Sequence, residues 1–323
     1  MKNTLLNNRG VALILVLLMI SIIIAITIQF TITTRSELYE SANLRDSIKL
    51  LYIAKSGFNM GEALLYEDDN DVDSPHDDWA KLILLSAQSS ILFDKGHFQL
   101  NIADESGKIQ LNQLITNNEY NDKIKEMLLR LLNLPEFNLE EPEAHDIIDA
   151  IKDWIDEDDE TTEFGAENAY YQGLEQPYQC KNGKLDCLEE LLMIKGITRN
   201  LFYGTDESPG IADFLTLHGE EEININTAST VILRVLSPEI TEEMVSDMGE
   251  YRKNEGNNLA DISWYKNVTG MATISIEPEL ITTKSNVFKI VSTGYFDNMT
   301  KTVTGIVDRT NKDAIKILSW RVD

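Results

Sequence analysis

The sequence predicts an α+β fold, in which a long N-terminal transmembrane helix leads into an α+β domain interrupted by a large, mostly helical inserted domain. Three observations predict it. Residues 11–34 carry no charged side chain. Strand-like alternation occurs near His97 and returns only after Val287. Between those points the apolar spacing is that of helices. With 323 residues the chain exceeds one domain of about 100–200 residues. The expected division is a leader over 1–10, a transmembrane helix over 11–34, the first part of the α+β domain over 35–106, the helical insertion over 107–220, and the second part of the α+β domain over 221–323.

The apolar segment reads VALILVLLMISIIIAITIQFTITT. About 20 helical residues cross a hydrocarbon core of about 30 Å, so it is long enough to span. The ten residues before it hold Lys2 and Arg9 and no acid, while the chain after it is acidic. By the positive-inside rule the leader is cytoplasmic and the body lies in the periplasm. A cleaved secretory signal is the alternative, but no small-x-small site follows the stretch; the small residue, Gly10, precedes it.

Helical character continues past the membrane, with Leu44, Ile48, Leu51, Phe58, Gly61 and Leu65 three, four or seven residues apart. Glu67 to Asp78 has seven acids and a Pro and reads as a solvated loop. It lacks the turn Gly and the terminal Glu of an EF-hand. Trp79 to Leu92 reads as helix, His97 to Ile102 as strand, and Asp122 to Leu134, Glu143 to Ile155 and Leu188 to Ile194 as helices, the last stopped by Lys195-Gly196. A helix over Ala228 to Leu236, capped by Asn226 or Thr227, and another near Glu242 to Glu255 precede strands over Val287 to Ser292 and Lys301 to Val307.

Charge limits the function. With 54 Asp and Glu against 28 Lys and Arg the net charge is −26, which repels nucleic acid and anionic lipid and attracts cations. Two cysteines, Cys180 and Cys187, are spaced to close a small loop around Asn182-Gly183 in an oxidising compartment; two unrelated thiols are the alternative. Four scattered His and two Cys argue against zinc.

Gly10 before an uncharged apolar helix, behind a short basic leader, resembles the type IV prepilin motif. The resemblance implies cleavage after Gly10 by a prepilin peptidase, leaving Val11 as the methylated N-terminus of an inner-membrane protein. Most pilins and pseudopilins carry a Glu five residues into the mature chain, where this sequence has Leu15. An unpartnered carboxylate is costly in hydrocarbon, so a subunit without a neighbour on that side does better without it. This departure, together with Asp104-Glu105-Ser106-Gly107-Lys108-Ile109, Asp153-Trp154-Ile155-Asp156, Gly165-Ala166-Glu167-Asn168-Ala169-Tyr170-Tyr171 and Ile225-Asn226-Thr227-Ala228, resembles the type II secretion protein K family. The resemblance covers nearly the whole chain. It implies a pseudopilin domain with a helical insertion and a non-enzymatic minor pseudopilin that caps or nucleates the periplasmic pseudopilus tip. The partners it implies are the I, J and H types of minor pseudopilin, and the cofactor it implies is calcium.

Between Asp153 and Cys180 stand nine acids and no Lys or Arg. A solvated acidic loop is one reading. Trp154, Phe164, Tyr170 and Tyr171 among the acids favour an ordered loop, which at this charge density needs a cation. Calcium takes six to eight oxygens, and the expected ligands are Asp153, Asp156, Asp158, Glu163, Glu167 and Asn168, with Asp159 and Asn182 in reserve.

Two other classes compete. Leu188 to Ile197 and Ile223 to Ala228 resemble halves of helix-hairpin-helix modules, the mark of a membrane-anchored DNA-binding protein, but only Lys195 and Arg199 flank the turn. Asp149 and Asp153, one helical turn apart, could be imagined as an acid–base pair, yet no nucleophile elbow, phosphate loop or His-bearing metal motif accompanies them.

Overall fold

In the computed structural model, which describes residues 9–68, 71–311 and 314–323, helix α1 runs unbroken over Arg9–Glu67. Lys2 and the rest of the leader before Arg9 lie outside the described residues. At 1.5 Å per residue the 59 residues of α1 extend about 90 Å. From Val11 to Ile32 its apolar side chains stand exposed, on a helix long and apolar enough to cross a membrane. The hydroxyls of Ser21, Thr27, Thr31 and Thr33 donate to carbonyls four residues earlier at 2.8–3.0 Å, so these groups need no water.

The second half of α1 lies on a four-stranded antiparallel sheet ordered β1-β8-β9-β10. Its strands are β1 (His97–Asp104), β8 (Val287–Phe296), β9 (Met299–Asp308) and β10 (Lys316–Val322). Leu50, Ile53, Ala54, Phe58 and Leu65 face it, a stripe at helical spacing. Gly57 lets the helix close on the sheet, since a Cβ there would meet Ser292 Oγ at 2.2 Å and the Phe98 ring at 2.8 Å. Of the expected stripe, Phe58, Gly61 and Leu65 are at this interface, Leu51 packs at its margin, and Leu44 and Ile48 are exposed. Strands β8 and β9 form a hairpin through Asp297-Asn298, with Asp297 at φ 49°. Strand β10 was not foreseen.

Trp79 to Leu92 is not one helix. Only α2 (Ile83–Gln88) is α-helical, between short 3-10 turns. The segment bends along the edge of β1, where Ser89 Oγ bonds both Phe98 N and Phe98 O and Ser86 Oγ accepts from Leu100 N. These serines occupy backbone groups that an open edge would leave unpaired.

Short pairings brace the rest: β2 (Ile109–Gln110) beside β5 (Leu215–Thr216), β3 (Ile115–Thr116) beside β4 (Glu119–Tyr120), and β6 (Ile223–Asn224) beside β7 (Ile281–Thr282). They frame α3 (Asp122–Leu132), α4 (Glu141–Ile155), α5 (Asn168–Tyr171), α6 (Arg199–Tyr203), α7 (Thr230–Val235) and α8 (Glu242–Lys253). Leu188 to Met193 forms a 3-10 turn rather than an α-helix, and Ser229, not Asn226 or Thr227, caps α7.

Two apolar cores result, and they divide elsewhere than residue 220. One joins α1 to the sheet. The other runs from Ile109 to Ile281 and includes Ile223, Ile232, Met248, Trp264 and Met271. This second core extends past residue 220, because β6 pairs in parallel with β7 and the chain returns to the four-stranded sheet at Val287.

The units meet in a buried polar joint. Asp73, expected in a solvated loop, is fully buried and paired with the equally buried Arg309, whose guanidinium also holds Asp68. An arginine at that depth requires carboxylate partners. Asp104 accepts from Ser106 N, Ser285 Oγ, Thr227 Oγ1 and Asn224 Nδ2, while Asn224 and Asn226 donate to Asp73 O at 3.2 and 3.1 Å. Asp104 to Ile109 and Ile225 to Ala228, distant in sequence, thus form one junction. Gly107 permits the contact, its notional Cβ lying 3.1 Å from Ala228 Cα.

Candidate metal centre

Helix α4 starts with Pro142 in its first turn and the Glu143 side chain accepting from Glu140 N at 2.9 Å. It buries Ala144, Ile147, Ile148, Ile151, Trp154 and Ile155, and turns extended at Asp156. The acidic loop follows, folded back onto the helix. Asp149 and Asp153 hold it there. Asp149 accepts from Tyr120 Oη at 2.5 Å and Phe164 N at 3.3 Å, and both oxygens of Asp153 accept from Thr162 N at 3.0 and 3.2 Å. At Gly165 a Cβ would lie 2.0 Å from Asp153 Oδ2, so only glycine fits. Lys195 Nζ ties the far side, donating to Phe164 O at 2.9 Å and Gly165 O at 3.2 Å.

This folding brings Asp156, Asp158 and Glu167 together, one oxygen of each within 4.8 Å of the others. Asp156 is 1% exposed and Glu167 3%. Asp156 Oδ1, both Glu167 carboxylate oxygens and Asn182 Oδ1 are buried without a hydrogen-bond partner. Asn182 sits at φ 46°; its Nδ2 donates to Asp158 O at 2.5 Å and Asp159 Oδ1 at 3.2 Å, which leaves its oxygen free. A cleft of about 260 Å³ lined by Asn112, Asn118, Asp156 and Gly183 reaches the site. Burial, reinforced by Asp153 and Asp156, pushes the Glu167 carboxyl up to about 7. Buried anionic oxygens without donors are what a hard cation satisfies. Acidic clusters able to bind a metal are thus present.

Of the expected ligands, then, Asp156, Asp158 and Glu167 converge, while the reserve Asn182 is tied through Nδ2 to Asp158 O and Asp159 Oδ1. Asp153 serves the loop backbone instead. Glu163 is exposed. Asn168 accepts from Cys180 N at 2.9 Å and donates to Asp159 Oδ1 at 2.7 Å, so it stitches the loop. The Asn-Gly turn at Asn182 was the signal that could have promoted it. In this structure Cys180 and Cys187 stand as two separate thiols. Cys180 is buried, with Sγ 3.4 Å from Asp153 O and burial pushing the thiol up to about 12, whereas Cys187 is exposed, with Sγ 3.9 Å from Glu190 Oε1.

Asp68, Asp73 and Asp77 also gather their oxygens within 4.8 Å. There the Arg309 guanidinium already supplies the positive charge.

The architecture is that of a protein with one membrane-length helix continuous with an α+β body and a helical unit bearing an acidic centre. The sequence model of type II secretion system (T2SS) protein K matches residues 107–203, the part that holds this centre. Type II secretion system protein K of Aeromonas hydrophila is 26% identical over 210 residues, covering 60% of each chain. The chain thus spans about three fifths of that relative's length. The protein of the same name from Pseudomonas aeruginosa is 26% identical over 307 residues, 92% of this chain and 85% of that one. The crystal structure of the GspK-GspI-GspJ complex from the enterotoxigenic Escherichia coli type 2 secretion system contains the same fold. Its TM-score is 0.69 at 15% identity, over 88% of this chain and 99% of that one. The chain is thus similar to type II secretion system protein K in sequence, and to the solved GspK-containing complex in fold.

Proposed function

We propose that this chain is a minor pseudopilin of type II secretion. It is anchored in the inner membrane by residues 11–34 and caps or nucleates the periplasmic pseudopilus tip. The observation that carries this reading is the continuity of α1 from an exposed apolar rod into a body widened by a second core spanning Ile109 to Ile281. A subunit so wide does not repeat easily along a thin filament, but it fits at an end. Leu15, in place of the Glu usual in pilins, agrees with a subunit that lacks a neighbour on one side. Processing after Gly10 by a prepilin peptidase frees Val11, and the I, J and H types of minor pseudopilin are the partners. The function is non-enzymatic.

In this reading the acidic centre holds calcium. Asp156, Asp158, Glu167 and Asn182 supply side-chain oxygens, with backbone carbonyls and water completing the shell. The ion staples the loop to α4 and so fixes the wide end of the subunit. DNA binding is disfavoured, since Lys195 is spent on the loop backbone and Arg199 lies over the Tyr203 ring.

Co-purification tests the assignment. The detergent-solubilised full chain, expressed with the I-type and J-type pseudopilins of its own organism, should elute as one complex on size exclusion. Elution of all three as separate species counts against a tip assembly.

A further inference from the structure

We infer that Lys152 sets the charge selectivity of the acidic centre, shifting its preference toward divalent over trivalent ions; this rests on the metal reading above. Lys152 stands one helical turn before Asp156, and its Nζ lies 2.7 Å from Asp156 Oδ2. Both side chains are sequestered, at 14% and 0% exposure. The two oxygens of Asp156 therefore differ: Oδ2 is held by the ammonium, while Oδ1 is buried with no partner. No other lysine or arginine forms an ion pair with Asp156, Asp158 or Glu167 among the described residues.

Two consequences follow for an ion among these carboxylates. The ammonium holds Asp156 to coordination through one oxygen, since Oδ2 is engaged. It also reduces the three carboxylate charges to a net of two, which a divalent ion neutralises and a trivalent ion exceeds. Coulomb repulsion by a fixed positive charge grows with ion charge, so the ammonium opposes a trivalent ion half again as strongly as a divalent one. Removing it releases Oδ2 for two-oxygen coordination and leaves a site of charge −3. Lys152 is thus a specificity-determining residue that touches a ligand rather than the ion.

The test measures calcium and terbium affinities by isothermal titration on the detergent-solubilised full chain, the heat lost in Glu167→Gln marking this site. In Lys152→Gln the ratio of terbium to calcium affinity should rise at least about tenfold over wild type. Lys152→Met, which keeps the aliphatic stem packed, should show the same rise, and Lys152→Arg, which keeps the charge, should hold the wild-type ratio. Melting curves identify any variant that fails to fold, and the ratio is read on the neutral variant that does. A wild type that binds both ions, with a ratio unmoved in a folded neutral variant, overturns the role of Lys152 and leaves the metal reading standing. A wild type that binds neither ion overturns the metal reading itself.

Discussion

With calcium in the acidic centre as proposed, Glu167 links the stability of the helical unit to pH and to calcium with opposite signs. Its carboxyl is raised from 4.5 to about 7 because burial, then Asp153 and Asp156, disfavour the anion. A carboxyl raised in the folded state stabilises the fold fully below its unfolded value, and that stabilisation is lost as pH rises through about 7. The rise corresponds to roughly 3 kcal/mol. The ion-free protein should therefore melt lower at pH 8 than at pH 5, by roughly 5–10 °C for a body of this size. Calcium inverts the trend. At 100 times its dissociation constant an ion that binds only the folded state restores about 2.7 kcal/mol, and it binds best when Glu167 is ionised. The assay is scanning calorimetry of the full chain in detergent, in EGTA and in excess calcium, at both pH values. Glu167→Gln should shrink the pH trend in EGTA by the amount due to Glu167, leaving the part due to Asp73, which burial also raises to about 7, and should lose most of the calcium gain. The same pH trend in wild type and Glu167→Gln, or a wild-type melting temperature that calcium leaves unchanged, would rule out this role for Glu167.

Other expectations concern the α1–sheet interface, the buried joint and the two thiols. Gly57→Leu drives a side chain into Ser292 and Phe98 and should destabilise the α1–sheet interface by about 3 kcal/mol or more, read as a lower urea midpoint. Asp73→Asn leaves Arg309 with a weaker partner at full burial; a loss of about 3–5 kcal/mol, with proteolysis opening between the two units, is expected. Iodoacetamide should label Cys187 alone in the native protein and Cys180 only after denaturation, giving one and then two adducts by mass spectrometry.

Much of the fold was legible where the pattern is local. The uncharged run after Gly10, the alternation from His97 and the helix over Glu143 to Ile155 each follow from neighbours a few residues apart. What escaped depends on partners distant in sequence. Asp73 reads as one acid among seven until Arg309 is seen to reach it, and the helical unit could not be traced to Ile281 before Ile223 was paired with it. The acidic cluster was legible from charge density, but which of its acids converge is decided by the loop's return onto α4. That return engages Asp153 with Thr162 N, turns Glu163 to solvent and brings Asn182 inward. No spacing rule carries that information.

The mature N-terminus decides whether this chain is a membrane-anchored pseudopilin. Intact-mass and N-terminal analysis of the full chain from membranes that contain its prepilin peptidase should find a protein beginning at Val11 with one added methyl group. A chain that keeps residues 1–10 in those membranes, or one that begins beyond Thr34, would contradict it.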